Sequence, residues 1–308
     1  MIDKKPLIVI AGPTASGKSD RSVAVAKRIG GEIISADSMQ VYKKLDIGTA
    51  KIAKEEMQGV THHLIDVASV ADTFSIADYK CLANEAIRGI YERGHVPILC
   101  GGTGFYIQSV IYDIDFSEEE DKSIRVRLNK ELEEKGTFYM HEKLSLIDPE
   151  SAAIIHANNT KRVIRALEFY ELHGSPISEH NKLMKQRKPK YDVMYYAFTM
   201  DRDVLYDRID RRVDIMLESG LLDEARWLFN QGLSKEHTCM QAIGYKEMIE
   251  YIKGDVSYDE AVAKLKLNTR HYAKRQLTWF RNERGVRFID VMKEDAVDMI
   301  VKEYEKHV

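Results

Sequence analysis

An uninterrupted run, Gly12-Pro13-Thr14-Ala15-Ser16-Gly17-Lys18-Ser19, matches the pattern GxxxxGK[ST] and follows the apolar residues Leu7, Ile8, Val9, Ile10 and Ala11. Few strings of this length restrict a fold so tightly. Two glycines let backbone amides turn inward around a phosphate, the lysine neutralises its oxygens, and the serine hydroxyl can ligate Mg2+. Such a loop works where a β-strand delivers it to the start of a helix, and helical sequence follows over residues 21–28. The pattern leaves open which phosphate is held.

The rhythm continues downstream. β-rich runs at residues 32–36 and 96–100 alternate with a helical stretch at 76–93, which predicts a parallel sheet with crossover helices. Ligands of such sheets sit at the carboxyl ends of the strands. Residues 12–19, 37–40 and 101–104 are therefore expected to converge on one site.

From residue 117 the texture changes. Ser117-Glu118-Glu119-Glu120 reads as a capping box opening a charged helix, with Ile124, Leu128 and Leu132 in a thin apolar stripe. A second helix is expected to begin near Asn159-Thr160, turn Val163, Leu167 and Tyr170 inward, and stop at Gly174 with Pro176 beyond. A basic run at 182–190 precedes a strand at 191–199. Residues 117–190 are thus read as a mostly helical insertion domain in a core formed by residues 1–116 and 191–308. The remainder reads as helical. Residues 203–219 place Leu205, Ile209, Val213, Met216 and Leu217 on one face and end at Gly220, with Arg208 and Arg212 four apart on a neighbouring face; residues 260–282 form a second long helix. The expected fold class is α/β, a P-loop NTPase-like parallel sheet flanked by helices, with a helical insertion and a helical C-terminal part.

Composition narrows the setting. With 308 residues, 44% of them apolar, the chain can bury a sizeable core. A net charge of −3 means that any nucleic-acid partner must be served by local patches. Cys81, Cys100 and Cys239 share no CxxC spacing, which argues against a zinc knuckle or disulfide framework and for a reducing compartment. Gly12-Pro13 cuts short the apolar run after Lys4 and Lys5, which is unlike a signal peptide, and no run reaches the length of a membrane span. A cytoplasmic location is expected.

Asp37 follows a strand and could act as general base, hydrogen-bond acceptor or outer-sphere Mg2+ ligand, an ordinary loop aspartate being the plain alternative. Gly101-Gly102-Thr103-Gly104 would let backbone and the Thr103 hydroxyl approach an anionic group closely. Many P-loop proteins end this strand in an acidic metal ligand; its absence here weakens an ATPase reading. Residues 264–287 carry eight Lys or Arg against one acid, a local charge of +7. Lys266, Arg270 and Lys274 share a helix face, and Tyr272, Trp279 and Phe280 supply aromatics, so a phosphate backbone is the expected contact. Lys161-Arg162 with Arg165, and residues 182–190, add smaller basic surfaces.

Together these segments resemble the tRNA dimethylallyltransferases (tRNA isopentenyltransferases). Besides the P-loop, the resemblance rests on Ser35-Ala36-Asp37-Ser38-Met39-Gln40-Val41-Tyr42, Asp46-Ile47-Gly48-Thr49-Ala50-Lys51, His62-His63-Leu64-Ile65-Asp66 and Gly101-Gly102-Thr103-Gly104-Phe105-Tyr106. It continues through residues 159–168, 242–247 and 274–281. The chain is similar to the shorter bacterial form, since it lacks the Cys and His for the C-terminal zinc finger of some eukaryotic relatives.

The resemblance implies transfer of a dimethylallyl group from dimethylallyl diphosphate to N6 of the adenine 3′ of the anticodon, as i6A formation. It implies that Gly12, Pro13, Thr14, Ala15, Ser16, Gly17, Lys18 and Ser19 bind the diphosphate, with Mg2+ as cofactor through Ser19. Asp37 would accept the amine proton, Thr103 would lie near the bridging oxygen, and Lys18 and Arg208 would stabilise the leaving diphosphate. The implied contacts to the tRNA anticodon stem-loop are Asp37, Ser38, Met39, Gln40, Thr103, Lys161, Arg162, Val163, Ile164, Arg165, Ala242, Ile243, Gly244, Tyr245, Lys274, Arg275, Gln276, Trp279 and Arg281. The enzyme would act as a monomer with no membrane partner. Two other readings compete: an ATP-using small-molecule kinase of the P-loop class, which leaves the basic helix idle, and a non-catalytic RNA-binding protein with a nucleotide switch, which leaves Asp37 and Thr103 unexplained.

Overall fold

The computed structural model describes residues 4–114 and 122–307. The chain divides into two compact units, one of residues 1–114 and 189–308, the other of residues 115–188.

The first unit is built on one sheet. In chain order its strands are β1 (Pro6–Ala11), β2 (Gly31–Ser35), β3 (His62–His63), β4 (Val96–Gly101), β5 (Asp192–Thr199) and β6 (Val286–Asp290). They lie side by side as β3-β2-β4-β1-β5-β6, and every pairing is parallel. Parallel sheets need helices on both faces, and β1 shows why: residues 7–11 have no exposed surface at all. Its alternate residues feed two cores. Ile8 and Ile10 pack with Val23 and Ala26 of helix Lys18–Ile29 and with Ile300 of helix Ala296–His307, while Leu7 and Val9 pack with Tyr79, Ala83 and Ile87 of helix Ile76–Glu92. A third core joins Val213, Leu221, Leu228, Tyr245, Met248 and Leu265 among the C-terminal helices.

Local signals explain where the helices begin and end. Ser75 and Asp78 form a reciprocal capping box at the start of Ile76–Glu92, and Gly30, at φ 66°, closes Lys18–Ile29 in the left-handed region that glycine tolerates. Helices Arg202–Glu218 and Tyr258–Arg281 fall within two residues of the expected spans. The C-terminal part is not wholly helical, however, because β6 extends the sheet beside β5. Five residues give too little periodicity to reveal that strand, and exposed Arg287 and Phe288 at this sheet edge blur its alternation. The register brings the site together: Ala11 pairs with Gly101 and Ser35 with Cys100, so the loops after β1, β2 and β4 leave the sheet as neighbours.

The second unit is helical throughout its described part: Lys122–Ile147, Pro149–Ile154, Thr160–His173 and Ile177–Gln186. The first is broken at Gly136, whose φ is 81°. Its core joins Leu128, Met140 and Leu144 with Val163, Ile164 and Leu167, and Ile124 and Leu132 pack at its margin. The capping box expected at residues 117–120 lies outside the described residues.

One carboxylate is buried in the sheet. Glu32 of β2 is 4% exposed and accepts Arg93 Nε and Nη2, each at 2.8 Å, with His63 and His95 at 2.7 and 2.6 Å. Hydrogen bonding by Arg93 is the main reason its pKa falls from 4.5 to about 2. A depressed carboxylate pKa stabilises the fold above the unfolded value and loses that effect as pH falls through the folded value. Glu32→Gln should therefore cost about 2 kcal/mol at neutral pH, a figure reduced for the half-exposed Arg93. The gap from the parent protein should close between pH 4.5 and about 2, which urea unfolding across a pH series measures.

Candidate active site

The phosphate loop folds as its spelling demands. Gly12 and Gly17 take φ values of 150° and 75°, and Ala15 between them is held at 63°, a conformation that costs an alanine about 1–2 kcal/mol. The curl carries Ser16 fully inside with its hydroxyl unpaired, and Lys18 Nζ donates to Pro13 O at 2.8 Å across the loop. Burial lowers the Lys18 pKa to about 8; the Arg212 guanidinium pushes the same way, and Asp37 opposes both.

Asp37 stands after β2, its Oδ1 accepting the Met39 N–H at 2.9 Å. Burial raises its pKa against the opposing pull of that bond and of Lys18, which makes the ionised form a stronger base than an exposed aspartate. Gln40 is held by Ser35, whose hydroxyl donates to Oε1 at 3.1 Å, and donates to Thr49 O at 3.3 Å. Thr103 supports this loop from below. Its amide donates to Ala36 O at 3.0 Å and its Oγ1 accepts the Ser38 N–H at 3.1 Å.

Asp37, Ser38, Met39 and Gln40 face a cavity of about 390 Å³ together with Thr14, Lys18 and Ser19 of the phosphate loop. Arg212, the segment Ala242, Ile243, Gly244 and Tyr245, and Tyr272, Arg275 and Gln276 complete its polar and aromatic wall. Ile33, Ile52, Ile209, Val213, Met216 and Leu265 add apolar surface to it. The cavity thus presents cations to an anionic group and hydrocarbon to an apolar one.

Several expected positions move. From the helix Arg202–Glu218 it is Arg212 that lines the cavity, where Arg208 was expected. Ile209, Arg212, Val213 and Met216 follow the i, i+3, i+4, i+7 spacing of one helix face, and Arg208 falls outside that stripe. Burial lowers the Arg212 pKa, and Arg208 lowers it further by like charge. Thr103, Gly12, Pro13, Ala15, Ser16 and Gly17 shape the site without lining the cavity. The glycines of 101–104 make room for protein atoms: a Cβ on Gly101 would stand 2.1 Å from Ala36 O, on Gly102 2.0 Å from Gln276 Nε2, and on Gly104 2.1 Å from Trp279 Nε1. Tyr272, expected only as an aromatic of the basic helix, lines the cavity with its ring 5.7 Å from the Arg275 guanidinium; its spacing four before Gln276 on one helix was the available signal.

The basic helix divides in two. Lys264 pairs with Glu250, Lys266 with Asp214 at 2.6 Å, Arg270 with Asp210, its Nε donating at 3.0 Å, and Arg287 with Glu303. These cations hold the C-terminal elements to one another. Lys274, Arg275 and Arg281 are exposed and have no ion pair among the described residues. Trp279 is 38% exposed beside Phe105, whereas Gln276 is buried. In the helical unit Lys161 and Arg162 are exposed, but Val163 and Ile164, expected to touch RNA, belong to its core, and Arg165 shares buried Glu168 with Arg125.

A parallel α/β sheet with a phosphate loop after its central strand, two cations behind it and a carboxylate facing them defines a P-loop-type enzyme. A family model described as IPP transferase matches residues 40–283, beginning after the phosphate loop. The tRNA dimethylallyltransferases of Bacillus velezensis and Bacillus subtilis are 50% and 47% identical, over 97% and 99% of this chain and 95% and 97% of their own. Among solved structures, the tRNA isopentenylpyrophosphate transferase of Bacillus halodurans is 48% identical with a TM-score of 0.72, over 99% of this chain and 95% of that one. A eukaryotic dimethylallyltransferase acting on tRNA is 28% identical with a TM-score of 0.80, over 98% and 80%. The chain belongs to the tRNA dimethylallyltransferase family, and the kinase alternative is not favoured. No helix among the described residues is long and apolar enough to cross a membrane.

The arginine assignment is directly measurable. In calorimetric titrations with inorganic diphosphate, Arg212→Ala should weaken binding by about 10- to 100-fold, the loss of a charge-assisted contact, and Arg208→Ala by far less. Binding to the parent protein should weaken above about pH 8 as Lys18 loses its proton.

Proposed function

We propose that this chain transfers a dimethylallyl group from dimethylallyl diphosphate to N6 of the adenine 3′-adjacent to the anticodon in tRNA, releasing diphosphate. The observation that carries this reading is a single cavity in which Lys18 and Arg212, the carboxylate of Asp37 and an apolar wall all meet. Apolar side chains line the cavity beside its cations. An allylic diphosphate needs both, with its charged end at the phosphate loop and its five carbons against the isoleucines and Val213.

In the reaction the donor's C1–O bond breaks and the N6–C1 bond forms. The electron pair of the broken bond leaves with diphosphate, where Lys18, Arg212 and the loop amides offset the developing charge. Adenine's exocyclic amine is a poor nucleophile, since its lone pair is drawn into the ring. Asp37 accepts its proton as the bond forms, and the raised pKa of this carboxyl suits that task. The base must leave the anticodon stack to reach the strand ends. Lys274, Arg275, Arg281, Lys161 and Arg162 are the exposed cations available to the RNA backbone.

The residues present fit Mg2+ carried on the diphosphate. Among the described residues the hydroxyl of Ser19, which lines the cavity, has no hydrogen-bond partner, and no group of three or more His, Cys, Asp or Glu suited to a metal occurs. One serine oxygen beside phosphate oxygens is the donor set that Mg2+ favours, and when bound the ion would offset charge on the leaving group. The protein would work as a cytoplasmic monomer.

Purified protein with Mg2+, unmodified tRNA and labelled dimethylallyl diphosphate should yield labelled RNA; absence of label alongside ATP turnover on a metabolite would defeat the proposal. Asp37→Ala should lower the transfer rate by about 100- to 10,000-fold while tRNA affinity stays near normal, because the carboxylate acts in the transition state. Among the cations, Lys274→Ala should weaken tRNA binding and reduce its salt slope by about one, and Lys266→Ala should leave the slope unchanged. Filter binding over a salt series separates the two.

A further inference from the structure

Gln276 was expected at the RNA surface, yet it is 5% exposed and both ends of its amide are spent on backbone. Its Oε1 accepts the Thr14 N–H at 2.9 Å, and its Nε2 donates to Gly102 O at 3.0 Å. We propose that Gln276 is a positioning residue of the transfer reaction, a single amide that holds the phosphate loop and the 101–104 loop at one separation. The proposal rests on the function given above.

The chemistry of the pair leaves little freedom. A backbone N–H requires an acceptor and a carbonyl requires a donor, and the amide of Gln276 supplies one of each at this length. The loop is shaped to it, since a Cβ on Gly102 would stand 2.0 Å from Nε2. From Gly102 the path is short: Thr103 of the same loop accepts the Ser38 N–H, and Ser38 adjoins Asp37. The amide therefore links the loop that receives the donor's phosphates to the loop that braces the proton acceptor. On the same helix Tyr272 and Arg275 face the cavity, so the helix is seated by the contact it makes with both loops.

A displacement of about 1 Å between reacting groups can lower a rate about 100-fold. Gln276→Met keeps the length and fills the space but can make neither bond. It should lower kcat by about 10- to 100-fold, with tRNA affinity unchanged and the folded fraction, followed by circular dichroism, still near complete. Gln276→Glu supplies the signature that a packing role would not give. Its protonated carboxyl can accept from Thr14 and donate to Gly102 O, whereas its ionised form faces that carbonyl with like charge. Relative to the parent protein, the Glu variant should regain kcat as pH falls, and the Met variant should not. Turnover by the Met variant within about twofold of the parent would overturn the proposal. So would losses that simply track unfolding in both variants, or parallel pH profiles for the two. A parent protein that transfers no label would instead contradict the function itself, so the two failures are distinguishable.

Discussion

Close approach of backbone to backbone at the end of β4 governs this structure. Gly101 lies against the carbonyl of Ala36, and Gly102 and Gly104 receive Gln276 and Trp279 from the helix Tyr258–Arg281, at separations that no Cβ could share. Because the loop is bare, β2 and β4 can end side by side and a helix from the far end of the chain can lie across them. The loops after β1, β2 and β4 then become one surface. A similar fit occurs nearby, where the Tyr245 ring lies over Gly48 and its hydroxyl joins Glu224, which also accepts the amides of Asp46, Ile47 and Gly48 at 2.9 Å each. Glycine in these segments serves protein packing, and the ligand benefits indirectly through the geometry that packing enforces.

Within that frame the electrostatics are deliberately unbalanced. Lys18 and Arg212 stand half-buried near each other, and partial burial and like charge depress both of their pKa values. Asp37 offsets only part of this. Bringing two cations out of water near each other is unfavourable without an anion, and a diphosphate supplies that anion. The cost of assembling the cations is met by the fold in advance, so they need little reorganisation as charge develops on the leaving group.

The basic C-terminal helix shows how misleading a charge run is when its partners lie elsewhere in the chain. Lys266 and Arg270 find Asp214 and Asp210 on the helix Arg202–Glu218, 52 and 60 residues away in sequence, and so become part of the scaffold. Lys274, Arg275 and Arg281, on the same helix, have no such partner among the described residues. A stripe that reads as one polyanion-binding face is, in space, a structural half and an exposed half.

Much was legible beforehand because it depends on neighbours in sequence. The phosphate loop, the strand preceding it, the alternation of strands and helices, and the acidic residue after β2 are local patterns, set by backbone freedom and hydrophobic period. The apolar periodicity of residues 203–219 likewise revealed a helix. What it could not reveal is which arginine of that helix faces the ligand, because Arg208 and Arg212 differ only in their angle to a wall built from other segments. Likewise β6 is too short to have a period, and Val163 and Ile164 look like part of a basic patch until the helix carrying them turns them into a core. The sequence by itself determined that a phosphate would be held at the end of a parallel sheet. What else stands there depends on packing, because Arg212, Tyr272 and Gln276 reach the site from helices distant in sequence, and the helix of Tyr272 and Gln276 lies across bare glycine backbone.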